Sequence, residues 1–400
     1  MRIGIFGGTY DPVHTGHIET ARSVFRELEL DRLFMVVAAD PPHKHDPNRT
    51  PAHLRLKMLE AALEGERGIA ASDVEIKRAG KSYTVDTLGV FKRQYRGAEL
   101  FLIVGGDMLE NFPLWRDPKG IMSMAALTAV TRPDSARDMR AIADGIERDF
   151  GGRVILSEFT GPDISSTEIR RRMRDAEPIN LLCDPAVERF VYTNGLYMPQ
   201  EITAIRQKLY KRLRRKRLDH TMMTVREAIS LAAKHGADPR KARLAAILHD
   251  CIKLPNRELL EYCETNGYEL SADERANPYL IHSRLGAELA ETEFGVTDPE
   301  VLNAIRRHTL GQVGMSLLDK IIYVADKIEP SREYEGVAEM REEAYRDIDS
   351  AMLLVMKHSA DYTAASGRQV NPSTRAVMDW LAECIENKRQ SHNDTEENNG

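Results

Sequence analysis

Apolar positions in the first half of the chain fall into two alternating patterns. "RIGIF" (2–6), "RLFMVVAA" (32–39), "LFLIVGGD" (100–107), "ALTAVTRP" (126–133) and "RVILSE" (153–158) are short and nearly continuous, and they read as buried strands; "SDVEIK" (72–77) reads as one more. Helical spacing fills the gaps between them. In "HIETARSVFRELE" (17–29), Ile18, Ala21, Val24, Phe25 and Leu28 share a face, and 53–65, 82–95 and 138–150 repeat the theme. Strands alternating with helices predict an α/β doubly wound parallel sheet, which binds ligands at the carboxyl ends of its strands. The Gly-rich stretch after the first strand, "DPPHK" after the second and "GGD" after "LFLIV" all sit at such ends.

Near residue 198 the strand signal fades, and helical patterns run from 201 to about 388. The expected organisation is one domain over 1–198, an all-α domain over 203–388 and a polar, disordered tail over 389–400. A length of 400 residues suits two cores better than one. The balance of 42% apolar and 30% charged residues is that of an ordinary globular protein, and a net charge of −6 argues against a nucleic-acid binder as a whole. Arg206 to Arg217 holds eight Lys/Arg and no acid; a solvated face of the joining helix explains that run better than an RNA patch. No apolar run approaches the roughly 18 residues of a membrane span. The N-terminus lacks a signal-peptide pattern, and the four cysteines share no CxxC spacing, so the expected location is the cytoplasm.

Chemistry concentrates first in "GGTYDPVHTGH" (7–17). Gly7 and Gly8 let the backbone approach a phosphate, and His14 and His17 lie three apart near a helix start, where the N-terminal dipole favours anions. No Gly-Lys-Ser/Thr follows, so this is not a Walker loop, and it is not the dinucleotide GxGxxG. Two imidazoles at a phosphate turn suit phosphoryl or nucleotidyl transfer, which depends on positioning and electrostatic stabilisation. In "GPDISSTEIRRRM" (161–173), Ser165, Ser166 or Thr167 can cap a helix with Glu168 and Arg170 behind, and the same groups make an anion site.

Together these segments resemble the HxGH nucleotidyltransferase superfamily. "PPHK" (41–44), "SYTVDTL" (82–88), "GGDML" (105–109), "LWRDP" (114–118) and "TRP" (131–133) narrow the resemblance to bacterial nicotinate-nucleotide adenylyltransferases over residues 1–198. The resemblance implies a Rossmann-like fold and transfer of AMP from ATP, with Mg²⁺, to nicotinate mononucleotide, giving deamido-NAD and pyrophosphate. It places Gly7, Gly8, Thr9, His14, His17, Ser165, Ser166 and Arg170 on ATP. Lys44 falls on the mononucleotide phosphate, Asp107 near the ribose, and Tyr83, Thr84 and Trp115 at the nicotinate ring. Tyr10 stands where that family mostly has Phe. Pantetheine-phosphate adenylyltransferase, the neighbouring family, is disfavoured by "PPHK" and "SYTVDTL".

In the second half His220, His249-Asp250, His282, His308 and Asp326 each sit in or beside an apolar helical pattern. A carboxylate at the end of a run such as Ile321, Ile322, Val324, Ala325 needs a partner, and imidazole with carboxylate suits a divalent transition metal. This order resembles the HD-domain phosphohydrolases, and "RLDHTMMTV", "LHDCIK", "HSRLGAELA" and "RHTLGQVGMSLLDKIIYVADKIEPSR" resemble the YqeK-type members over 203–388. That resemblance implies symmetric hydrolysis of diadenosine tetraphosphate to two ADP with Fe²⁺ or another divalent transition metal. It implies His220, His249, Asp250 and Asp326 as ligands, with Asp250 catalytic, and Arg217, Lys253, His282, His308, Thr309 and Arg332 around the polyphosphate. A regulatory alternative makes this half a nucleotide sensor without turnover. One metal or two, the oligomeric state (a homodimer included) and the preference for nicotinate over nicotinamide stay open at this level.

Overall fold

The apolar runs of the first half pair side by side, so that their backbone groups bond to one another and helices cover both faces. They are β1 (Arg2–Gly8), β2 (Arg32–Val37), β3 (Ile69–Ser72), β4 (Glu99–Gly105), β5 (Ala125–Thr131) and β6 (Val154–Thr160). All pair in parallel, in the order β3-β2-β1-β4-β5-β6. The strand order reverses between β1 and β4, which opens a crevice at their carboxyl ends. This computed structural model describes residues 1–41, 49–78, 80–131, 138–367 and 369–397.

The helices of this part are α1 (Thr15–Glu27), α2 (Ala52–Ala62), α3 (Val74–Arg78), α4 (Thr84–Gln94), α5 (Gly106–Asn111), α6 (Pro118–Met124), α7 (Met139–Phe150), α8 (Ser166–Asp175) and α9 (Pro185–Asn194). The periodicity is realised in packing. α1 buries Ile18, Ala21 and Val24, and α7 buries Met139, Ala143 and Ile146. Ile3, Ile5, Leu100, Leu102 and Leu127 form the sheet's share of a core with Leu88, Phe91 and Phe112.

One element differs from expectation. "SDVEIK" reads as a strand at 72–77, but β3 ends at Ser72 and Val74–Arg78 is the helix α3. The pairing of β2 is met by Ile69, Ala70, Ala71 and Ser72, so the chain leaves the sheet there, and Lys77 N–H closes a helical turn on Asp73 O at 2.9 Å. This turn puts Glu75, with 7% of its surface exposed, inside the protein.

The second half is helical: α10 (Gln200–Arg212), α11 (Arg215–His235), α12 (Pro239–Leu248), α13 (Asn256–Thr265), α14 (Ala272–Ala276), α15 (Ile281–Thr292), α16 (Pro299–Arg307), α17 (Leu317–Ile328), α18 (Val337–Ala344), α19 (Ile348–Ala365) and α20 (Pro372–Glu397). Asp238, Asp298, Ser316 and Asp347 cap α12, α16, α17 and α19 through side-chain oxygens. α11 packs on α12 and α17, and its buried side includes Leu218, His220, Met222 and Val225. α20 continues to Glu397, through most of the segment expected to be a disordered tail. Buried Val377 and Leu381 anchor it, and Lys388 bridges Asp347 and Asp349; once nucleated, a helix extends at little cost.

Two compact units result, Met1–Arg171 with Ile179–Phe190, and Arg172–Pro178 with Val191–Gly400. No two cysteines are bonded to each other. Among the described residues no helix is long and apolar enough to cross a membrane.

Candidate functional site

In the first unit a cavity of about 530 Å³ opens at the carboxyl ends of β1 and β4. Gly7, Gly8, Thr9, His14, His17, Tyr83, Thr84, Trp115, Ser165, Ser166 and Arg170 all line it, so segments far apart in sequence converge there. α1 starts at Thr15 with His14 as its N-cap, two residues earlier than the spacing suggests, which puts His17 in the first turn. The His14 and His17 rings stack with centroids 3.7 Å apart, and Tyr10 meets His17 edge-on at 5.0 Å. Two imidazoles and the N-terminus of a 13-residue helix thus face one space.

The two glycines act differently. A Cβ on Gly8 would lie 2.6 Å from the Tyr10 ring, so that glycine is demanded by packing, whereas one on Gly7 meets no protein atom within 4 Å. Gly7 therefore keeps space clear on the cavity side. If the cavity takes ATP, as the resemblance implies, Gly7→Ala is expected to leave the melting temperature within about 2 °C and to weaken ATP binding roughly tenfold; a melting curve and a calorimetric titration check the two, and full ATP affinity would contradict it. The Tyr10 hydroxyl, the departure from the family's usual Phe, donates to Phe6 O at 2.6 Å and is thereby satisfied.

α8 brings the second motif in. Ser165 Oγ accepts from Glu168 N–H at 3.2 Å as a cap, Ser166 Oγ donates to Pro12 O at 2.9 Å, and Arg170 donates to Asp11 O at 2.7 Å. Tyr83 stands at the N-cap position of α4 without a side-chain cap bond, and Ser82 Oγ accepts from the Ala39 and Asp40 N–H groups. Trp115 is half-buried against Phe112, with ring centroids 5.5 Å apart, so it serves packing and cavity wall together. Asp107 is exposed at the head of α5 and is not among the lining residues. Lys44 lies outside the described residues, as do the rest of "PPHK" after Pro41 and Arg132-Pro133 of "TRP".

Several participants escaped the sequence reading. Arg116 lines the cavity with its guanidinium 4.5 Å over the Tyr83 ring, and Asp11, Arg49 and Glu75 line it as well. Arg55, 1% exposed, donates to Thr9 O, Ala38 O and Thr50 O at 2.7–2.8 Å, and so joins the ends of β1 and β2. Only its helical spacing was visible, and an Arg at such a position reads as surface. Arg55→Met is expected to cost about 3 kcal/mol of stability, because buried carbonyls lose a charged donor; denaturant unfolding measures it, and a change under about 1 kcal/mol would be inconsistent with that role.

The second site lies within the second unit. His220 comes from α11, His249-Asp250 follows α12, His282 is on α15, His308 follows α16 and Asp326 is on α17. All six are buried. His220 Nε2 is 3.0 Å from Asp326 Oδ1; His249 Nε2 is 3.6 Å from Asp250 Oδ2 and 3.8 Å from Asp326 Oδ1. Asp250 Oδ1 faces His282 and His308 at 3.5 and 3.6 Å. The Nδ1 atoms are all engaged elsewhere: His220 with Glu329 Oε1 (3.1 Å), His249 with Ala246 O (2.6 Å), His282 with Tyr279 O (2.5 Å) and His308 with Ile305 O (2.7 Å). Each pairing makes Nδ1 the donor and turns the Nε2 lone pair toward the carboxylates, as metal-binding imidazoles require. His249 Nε2 is buried without a hydrogen-bond partner. These residues fit a divalent cation, and all six, His220, His249, Asp250, His282, His308 and Asp326, contribute to the groupings that can hold one.

The electrostatics agree. Burial pushes the His249 pKa down to about 4, which keeps the ring a neutral ligand. Burial opposes ionisation of Asp250 and Asp326, yet neighbouring His and Lys groups outweigh it and hold both carboxyls well below the usual range. For His220 burial is outweighed by Asp326 and Glu329, so its pKa rises: the place draws positive charge. Arg217 reaches Asp250 Oδ2 at 2.9 Å, Arg332 reaches Asp326 Oδ1 at 3.0 Å, and Lys253 Nζ is 2.8 Å from His282 Nε2, with Thr309 Oγ1 3.2 Å away. Glu329, three residues after Asp326, is the participant missed in "KIEPSR"; Ser331 holds its carboxylate for His220. In the basic run, Lys208 and Arg212 engage Glu293, Arg214 pairs with Glu258 and Arg215 with Asp219, which supports the joining-helix reading.

Fold and sites together define a cytidylyltransferase-like nucleotidyltransferase unit followed by an HD domain, and the two family models match residues 5–172 and 217–331. Through its first half the chain belongs to the nicotinate-nucleotide adenylyltransferase family. A probable nicotinate-nucleotide adenylyltransferase of Thermomicrobium roseum is 38% identical over 202 residues, which are 50% of this chain and 93% of that protein. One from Bacillus pumilus is 33% identical over 49% of this chain and 98% of its own length. A solved structure named as a predicted HD superfamily hydrolase involved in NAD metabolism, from Clostridium acetobutylicum, is 38% identical, covers 45% of this chain and 96% of its own, and has a TM-score of 0.43.

Proposed function

We propose that the first unit transfers AMP from ATP to nicotinate mononucleotide. A phosphate oxygen of the mononucleotide attacks the α-phosphorus of ATP, supplied as its magnesium complex; the bond to the bridging oxygen breaks, and deamido-NAD and pyrophosphate form. The stacked His14–His17 pair at the head of α1 carries this reading, because charge grows on the transferring group and on pyrophosphate. Ser165, Ser166 and Arg170 hold the β/γ end, while Tyr83, Thr84 and Trp115 surround the pyridine ring, with Lys44 on the mononucleotide phosphate. Pyrophosphate release that requires both ATP and nicotinate mononucleotide tests it, with nicotinamide mononucleotide as the competing acceptor.

The second unit, in the same proposal, hydrolyses diadenosine tetraphosphate symmetrically. Water adds to one inner phosphorus, the central P–O–P bridge breaks and two ADP leave. A divalent ion such as Fe²⁺ supplies the Lewis acidity that activates water and polarises a phosphoryl oxygen. His220, His249, Asp250 and Asp326 would hold it, and Arg217, Lys253, Thr309 and Arg332 offset polyphosphate charge. The Lys253 ammonium against His282 Nε2 favours phosphate over a second cation beside His282 and His308, since like charges oppose each other there. ADP as the sole product, with close to one metal per chain, is the expected outcome; nucleotide binding without turnover would make this half a sensor. The complete ligand set counts against that alternative.

A further inference from the structure

Two carboxylates line the cavity of the first unit, and their surroundings differ. Asp11 Oδ2 accepts from Thr50 N–H. Glu75 Oε1 accepts the Thr87 hydroxyl at 2.6 Å, and Arg78 in turn donates to Thr87 Oγ1 at 3.2 Å, so the carboxylate plane is held. Glu75 Oε2 is buried with no hydrogen-bond partner, and among the described residues no ion pair reaches it. A charged oxygen buried and unpaired is costly, and beside a cavity its missing donor is expected from what the cavity binds.

The chemistry of that donor can be narrowed, given the adenylyl-transfer reading on which this step rests. Glu75 is bonded to Thr87 of α4 and lines the cavity with Ser82, Tyr83 and Thr84 at the start of that helix, the segment that this reading gives to the mononucleotide. Of the groups on an ionised nicotinate mononucleotide, phosphate and carboxylate are anions that Glu75 repels, and the pyridinium nitrogen is a cation that attracts a carboxylate but has no proton to donate to it. Only the ribose hydroxyls donate. We infer that Glu75 Oε2 accepts a ribose hydroxyl of the mononucleotide and makes that hydroxyl a requirement for acceptance. The assignment adds Glu75 to Asp107, the acid that the resemblance puts near the ribose.

The test compares the unaltered chain with Glu75→Gln, which keeps the Thr87 bond, using nicotinate mononucleotide and its 2′-deoxy and 3′-deoxy forms. The variant is expected to raise KM for the mononucleotide about tenfold while KM for ATP moves less than about twofold. In the unaltered chain one deoxy form should lose about tenfold or more, and in the variant that penalty should largely disappear. Unchanged KM in the variant, a shift in ATP alone, or equal deoxy penalties in both proteins would each overturn the inference. The deoxy forms on the unaltered chain need no variant, and normal acceptance of both overturns it by itself. Turnover of the parent substrates by the unaltered chain is the control for the transfer reading; with it present, any of these failures falls on Glu75 alone, and without it both fall.

Discussion

Asp250→Ala is expected to remove bound metal from the second unit and to lower hydrolysis of diadenosine tetraphosphate by about 10³-fold, since the Lewis acid it helps to hold supplies several kcal/mol. Asp250 is the hub of that site: Oδ2 faces His249 and Arg217, and Oδ1 faces His282 and His308. Without it a buried cluster of imidazoles is left beside two cationic side chains, which repels a divalent ion. Glu329→Gln, one shell further out, keeps an acceptor for His220 Nδ1 but loses its charge, and should weaken metal affinity about 10–100-fold. Elemental analysis after dialysis, with ADP release, measures both. Adenylyl transfer by Asp250→Ala should be unaltered; retention of metal and of turnover in that variant would refute the site.

The converse substitution, His17→Ala, should lower adenylyl transfer about 10²–10³-fold while leaving hydrolysis intact. His17 sits in the first turn of α1, stacked on His14 and flanked by Tyr10, so its ring is positioned before any nucleotide arrives. Preorganised donors aimed at developing charge contribute mainly to kcat. The loss should therefore appear in kcat more than in KM for ATP. Both side chains belong to the capping box of α1, with His17 Nδ1 accepting from His14 N–H at 3.3 Å, so a melting curve should register a loss of about 1 kcal/mol in either variant, and the kcat loss is to be read beside it. A loss confined to KM would assign His17 to ground-state binding only.

Residue pattern sufficed wherever the structure depends on local periodicity or on the chemistry of a side chain. Continuous apolar runs announced β1, β2, β4, β5 and β6, because strands buried on both faces tolerate little polarity. The His-Asp series announced a metal site, because buried ionisable groups at helix ends need a common partner. Where pattern misled, the deciding force was non-local. "SDVEIK" reads as a strand, yet the pairing with β2 ends at Ser72 and Val74–Arg78 coils into a helix. The burial of Glu75 follows from that single turn.

The sequence by itself therefore determined an alternating half and a helical half, the Gly- and His-bearing turn after the first strand and the side-chain types of a cluster that could hold a metal. Tertiary structure alone decided which nitrogen of each histidine faces the cluster, since Nδ1 is claimed by carbonyls and by Glu329 from other turns. It also decided that Arg55 and Glu75 are interior, that Arg116 lies over Tyr83, and that Asp107 stands exposed at the head of α5. The physical reason is common to all of these. A residue's chemistry is intrinsic, but burial and hydrogen-bond partners are supplied by segments distant along the chain, and no local pattern encodes them.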